Sequence, residues 1–313
     1  MKSLPIRSAF AGKSYPADRK ELLSRFQQYI EPHATGTPAR RRVPDMLLVP
    51  HIDFLVNMEL YAKAYAHLLH GKSFPEIFYI LGVGHQCPHE FSAVSCNYET
   101  PLGRLNSDQP LMETIEQHCG FDIALSPTTY KHEHSLEFVV IWLQALRDLY
   151  FPQARFKIVP ILMGGLFETV LSGRLPGPNH EITRFGKAVA DSFRQHAKGE
   201  AAIIASIDGC HVGPRFDHDF PANATAQKMV RQWEKELWEF CCSDKLDDFI
   251  LHLHRVENAF YFDGVGVLTL LLRNFTVSAR RETHELWYEE SDQSFVTFSG
   301  GYFSPLSRNV TSL

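Results

Sequence analysis

The apolar positions of this chain follow two alternating patterns. Short runs without polar alternation occur at Met46 to Val49, Ile77 to Leu81, Phe156 to Met163 and Ala202 to Ile207, and such runs suit strands covered on both faces of a parallel sheet. Between them, apolar residues recur every three or four positions. Leu22, Leu23, Phe26 and Ile30 do so within Ala17 to Ile30, and Leu136, Val139, Val140, Leu143 and Leu146 within Ser135 to Leu149. That spacing predicts helices, as it does at Glu59 to Leu69, Leu111 to His118, Ile182 to His196, Ala224 to Cys241 and Val265 to Leu272. Phe91 to Cys96, Leu286 to Tyr288 and Phe295 to Phe298 read as further strands, Tyr98 to Gly103 as a turn-rich connection and Glu31 to Pro38 as a break after the first helix. The order predicts an α/β fold with a mostly parallel or mixed central sheet and helices on both faces. No internal repeat, low-complexity tract or clear linker interrupts it, so residues 1–313 are expected to form a single domain.

The apolar runs carry a second regularity: three of them end, within a few residues, in histidine. These are His51 after Met46 to Pro50, His85 after Ile77 to Gly84, and His211 after Ala201 to Cys210. A fourth segment, Lys131 to Glu137, holds His132, Glu133, His134 and Glu137. In open α/β sheets the ligand crevice lies beyond the carboxyl ends of the strands, so imidazoles delivered there by separate strands can converge. Convergent histidines beside carboxylates suit a metal or a general acid/base centre.

Composition narrows the partners. Hydrophobic residues make up 44% and charged residues 21%, as in ordinary globular proteins, and the formal net charge is -5. That balance offers no electrostatic footprint for nucleic acid. The one basic run, Arg40 to Arg42, reads as a solvated loop. No apolar run is long enough for a transmembrane helix and Met1 to Arg7 lacks the apolar stretch of a secretory signal, so a cytoplasmic protein is the expectation. The six cysteines form no Cys-x-x-Cys pair and are expected to be reduced. A small-molecule substrate is the expected partner, with no membrane or nucleic acid, and homo-oligomers remain compatible with the sequence.

Each motif supports two readings. Asp53 can orient His51, or His51 can end a strand while Asp53 caps the next helix. Gly82 and Gly84 let the backbone before His85 turn sharply and approach a ligand, without forming a dinucleotide fingerprint. His134 and Glu137 lie three apart, the wrong spacing for the zinc protease motif. They suit a proton-transfer histidine with its orienting carboxylate, or a surface cap opened by Ser135. Asp208 can orient His211 or act as a base, Arg215 can hold an anionic substrate group, and Cys210 is a ligand, a nucleophile or an inert buried thiol.

Taken together, Ile6 to Pro16, Val49-Pro50-His51-Ile52-Asp53, Leu81-Gly82-Val83-Gly84-His85, Glu133 to Glu137 and Asp208 to Gly213 resemble the successive motifs of MEMO-like proteins. This family includes the AmmeMemoRadiSam system protein B. The resemblance implies a fold related to class III extradiol ring-cleaving dioxygenases, in which two histidines and a glutamate hold non-haem Fe(II). It also implies a pocket where MEMO-like proteins place two histidines and a cysteine. His51 and His85 match the histidines, and Asp208 and His211 match neighbouring pocket residues. Ungapped alignment on Gly266 puts Phe260 at the cysteine position, which leaves His211, Asp208 and Asp263 as substitutes.

The leading expectation is therefore a metal-dependent, iron-type oxidoreductase or dioxygenase-like enzyme. His51, His85 and His211 would hold the metal, His134 and Asp208 would move protons, and Arg215 and Glu137 would contact substrate. Fe(II) is the first choice of ion, with Cu, Zn or a metal-free pocket as alternatives. The competing class is a peptide-binding adaptor that uses the same pocket without catalysis.

Overall fold

A computed structural model describes residues 4–34, 44–71, 73–196, 199–243 and 245–306. The Arg40 to Arg42 run lies outside them. The strands are β1 (Leu4–Arg7), β2 (Met46–Val49), β3 (Ile77–Val83), β4 (Phe91–Ala93), β5 (Cys96–Thr100), β6 (Gly103–Leu105), β7 (Lys157–Met163), β8 (Ala201–Ser206), β9 (Asp208–Val212), β10 (Val277–Glu289) and β11 (Ser294–Pro305). The helices are α1 (Arg19–Ala34), α2 (Met58–Ala66), α3 (Gln109–Cys119), α4 (His134–Tyr150), α5 (Phe167–Ser172), α6 (Glu181–Gln195), α7 (Ala224–Cys241), α8 (Leu246–His254) and α9 (Val265–Asn274).

The main sheet has the order β10-β11-β2-β8-β3-β7-β4, with β9 also paired to β11. Its centre, β2-β8-β3-β7, is parallel, and its flanking pairs are antiparallel. The unbroken apolar runs explain the centre, because every residue of β2 and β8 is buried and both sheet faces are covered. One apolar layer joins the sheet to α3, α6, α7, α8 and α9, and the other joins it to α1, α2 and α4. This is the mixed α/β architecture that the pattern predicts.

Register places the site. Val49 lies opposite Ser206, Leu81 opposite Ala205 and Val83 opposite Met163, so β2, β8, β3 and β7 end at one edge. His51, Asp208 and His85 emerge there within two residues of their strands. The first turn of α4 reaches the same edge because Gly82 leaves room for it. A Cβ on Gly82 would stand 2.6 Å from Ser135 Oγ and 2.9 Å from Leu136 Cδ2, and Ser135 Oγ donates to the Val83 carbonyl at 2.9 Å.

Several elements depart from the sequence expectation. The single strand expected at Phe91 to Cys96 is two, β4 on the main sheet and β5 in a small sheet ordered β1-β5-β6. The corner between them is tied by buried polar contacts, Ser95 Oγ to Ser107 Oγ at 2.9 Å and Ser107 N to Asn97 Oδ1 at 3.3 Å. Tyr98 to Gly103 is strand through Thr100 followed by a tight turn into β6. Helix α1 runs one turn past the expected break, through Pro32, at the loss of one bond in its last turn. β1, β6, β9, α5 and α8 escaped the pattern. β10 and β11 were legible only near their shared turn, because Arg280 to His284 and Gly300-Gly301 interrupt their apolar positions. Gly82→Ala is expected to lower the unfolding free energy by about 1–3 kcal/mol in denaturant titration, by prising α4 from β3.

Candidate metal centre

His51 follows β2 by two residues, and two constraints orient it. Its Nδ1 lies 3.2 Å from the Ser206 carbonyl oxygen, which can only accept, so Nδ1 carries the proton. Asp208 Oδ1 accepts the backbone N–H groups of His51 at 2.9 Å and Ile52 at 3.1 Å. The remaining nitrogen, Nε2, faces the crevice 3.0 Å from Asp263 Oδ2 and 3.8 Å from Asp208 Oδ2. Both carboxylate oxygens of Asp263 are buried, and with the ring protonated the 3.0 Å contact is a charged pair.

Glu133 organises the second imidazole. Its Oε1 accepts from His85 Nδ1 at 2.9 Å and from the Ser135 N–H at 3.1 Å, and its Oε2 accepts the His85 N–H at 3.1 Å. The same carboxylate thus caps α4 and fixes His85 with its Nε2 lone pair free, as a metal-ligating histidine requires. His134, the first residue of α4, stacks on His85 with ring centroids 4.6 Å apart and planes at 19°. His51 stands at 85° to both rings. Two sets of donor atoms therefore lie within 4.8 Å of one another: His51 with His85 and His134, and His51 with Asp208 and Asp263. A buried imidazole nitrogen ringed by nitrogen and oxygen donors fits a divalent cation.

The charges are strongly coupled. Burial pushes the His51 pKa down, but the carboxylates of Asp208 and Asp263 outweigh it and raise it to about 10. Burial lowers His134 to about 3, with the charges of His51 and His85 adding to the effect, so its ring stays neutral. Burial raises Asp208, partly offset by His51. It acts the same way on Asp263, but the imidazoles of His51, His211 and His85 bring that carboxyl below its ordinary value. Glu133, also opposed by burial, is held low by the His85 hydrogen bond.

The other expected residues take different places. His211 Nδ1 faces the carbonyls of Gly209 at 3.2 Å and Tyr261 at 3.1 Å, and its ring meets Phe216 edge-on. It lines the cleft but belongs to neither donor set. Arg215 is paired with Asp292 at 2.7 Å and Glu289 at 3.8 Å and lies over the Trp287 ring, so an anionic ligand would compete with two carboxylates. Glu137 accepts the N–H groups of Ala9 and Phe10 and the Tyr15 hydroxyl at 2.9, 3.0 and 2.5 Å, which binds the N-terminal segment across α4. Asp53 takes the Ser14 hydroxyl rather than His51. Cys210 is fully buried, and burial drives its thiol well above the ordinary value. Phe260 packs edge-on against Trp233, while Asp263, three residues on, enters the crevice. Sequence reasoning gave Glu133 no role; its signal was the histidine on either side.

The cleft over His51, His134, Asp208 and His211 has a volume of about 300 Å³ and is walled by Phe10, Val56, Phe138, Phe216, Trp287 and Val296. No helix among the described residues is long and apolar enough to cross a membrane.

Comparison with known proteins agrees with the motif order. The family described as Memo-like protein matches residues 7–299. A MEMO1 family protein of Aquifex aeolicus is 30% identical over 94% of this chain and 71% of its own length. MEMO1 family proteins of Thermus thermophilus and Pyrococcus furiosus are 26% and 28% identical, over 86% and 73% of this chain and 72% and 73% of their own lengths. Glu137→Ala is expected to cost about 2–4 kcal/mol, as three hydrogen bonds to one buried carboxylate are lost together. Hydrogen exchange should show the Ala9 and Phe10 amides losing protection; unchanged protection would return Glu137 to a substrate-contact role.

Proposed function

The chain belongs to the Memo-like protein family, and from that premise we propose that the crevice is a mononuclear metal centre, with non-haem Fe(II) as its ion, serving oxidoreductase chemistry on a small molecule. The observation that carries the reading is His51 Nε2. It is buried, it faces the Asp263 and Asp208 carboxylates, its ring is locked by the Ser206 carbonyl, and both donor sets share it. Two buried carboxylates beside one imidazole nitrogen favour positive charge at that point, which a ligated cation would supply. His85, fixed by Glu133, is the second ligand.

A redox-active ion bound here would supply Lewis-acid activation of a substrate oxygen and one-electron chemistry. The chain's own residues supply the rest. The aromatic walls hold the apolar body of a ligand and exclude water, and the cleft volume suits a small molecule. Neutral His134 lines the same cleft, where its ring can hydrogen-bond a bound hydroxyl and position it. Asp208 keeps the His51 backbone in place through two N–H groups while its second oxygen faces the ring.

In the metal-free protein His51 is protonated at neutral pH, because its pKa is raised. Metal uptake must displace that proton, so affinity falls as pH drops and rises as pH approaches 10. Anaerobic Fe(II) titration near pH 7, in buffers of different ionisation enthalpy, should show about one proton expelled per ion. His51→Ala should abolish both uptake and proton release; uptake that survives this substitution contradicts the reading. Glu133→Gln, which places an amide against the two His85 donors, should weaken binding by about 10–100-fold. Oxygen consumption by the iron-loaded protein with catechols or other small hydroxylated compounds, absent in His51→Ala, is the activity expected.

A further inference from the structure

We infer that Asp263 is the third protein ligand, so that the centre is a set of two histidines and one carboxylate selective for Fe(II)- and Mn(II)-class ions over thiophilic ones. The inference rests on the metal reading above and deepens it by choosing between the two donor sets. An ion bound by imidazole lies near the plane of the ring. The His85 and His134 rings are stacked and nearly parallel, so their planes do not meet within the site and one ion cannot lie in both. His51, at 85° to each, can share an ion with either. Glu133 selects His85, because its hydrogen bond to Nδ1 leaves Nε2 as the lone pair, whereas His134 has only the 3.5 Å approach of that carboxylate.

The third donor then comes from the acidic side. Asp208 Oδ1 already accepts two backbone N–H groups, and its Oδ2 is 3.8 Å from His51 Nε2. Asp263 is closer at 3.0 Å, both of its oxygens are buried, and neither is committed to a backbone N–H as Asp208 Oδ1 is. Its position is built in by the backbone. The chain reverses through left-handed residues at Glu257, Asn258 and Tyr261. The Asp263 N–H reaches the Gly209 carbonyl at 3.3 Å. Gly264 follows, where a Cβ would stand 2.8 Å from Ile207 Cδ1. No cysteine belongs to either donor set among the described residues. Nitrogen and carboxylate donors without a thiolate favour harder ions, and two histidines with one carboxylate is the arrangement used by non-haem Fe(II) oxygenases.

The test is metal binding followed by absorption spectroscopy on the purified full chain, with Co(II) and Mn(II) as probes and circular dichroism to verify folding. Asp263→Ala should weaken Mn(II) binding by more than about 100-fold, beyond the loss typical of an outer-shell change. Asp263→Cys should give Co(II) a thiolate charge-transfer band that the wild type lacks, and should shift preference toward Cu(I) and Cd(II). His134→Ala should keep Mn(II) affinity within several-fold. Wild-type Mn(II) affinity in Asp263→Ala, or Co(II) bound to Asp263→Cys without the band, would overturn the assignment while leaving the His51 centre standing. Failure of the wild type to bind either ion would overturn the metal reading and this inference with it.

Discussion

The crevice depends on the orientation of one ring. His51 has its Nδ1 proton committed to the Ser206 carbonyl and its backbone committed to Asp208, so Nε2 has no freedom to turn toward water or another acceptor. Two carboxylates face that nitrogen. In the metal-free protein a proton relieves the repulsion, which is why the ring is drawn to about 10 against the opposing effect of burial. A divalent cation would answer the same electrostatic demand with more charge and shorter contacts. The attraction of the acidic pair for positive charge is thus a property of the fold, and competition between proton and metal follows from it.

The surrounding structure keeps that geometry through a chain of single hydrogen-bonding groups. Gly82 lets the first turn of α4 sit against β3, Ser135 ties that turn to Val83, and Glu133, at the cap, aligns His85. One turn further along α4, Glu137 holds Ala9, Phe10 and Tyr15, and so places the Phe10 ring against His134 and Phe138 at the wall of the cleft. A single helix therefore sets both an imidazole of the centre and the aromatic rim above it. Arg215, joined to Asp292 and Glu289 and laid over Trp287, braces the opposite wall.

Much of this was legible in the sequence because the signals were local. The strands β2, β3, β7 and β8 are unbroken apolar runs, and the histidines that follow two of them meet at the crevice because parallel strands in register end together. What stayed hidden depended on tertiary contacts. The middle of β10 is polar on its open side and looks like a loop. Glu133 lies between two histidines in a motif with the wrong spacing for a zinc protease, and only the fold shows it facing His85. Asp263 is carried inward by three left-handed residues just upstream, which no ungapped alignment can represent. His211, the third strand-end histidine, lines the cleft with its Nδ1 directed at the Gly209 and Tyr261 carbonyls, and stands outside the two donor sets found among the described residues.

The most direct test of the central claim is a crystal structure of the protein reconstituted anaerobically with Fe(II), with anomalous diffraction recorded on both sides of the iron edge. The account predicts one strong anomalous peak per chain, at bonding distance from the Nε2 atoms of His51 and His85. A peak elsewhere, or an iron-soaked crystal in which His51 Nε2 still faces Asp263 with no scatterer between them, would contradict it.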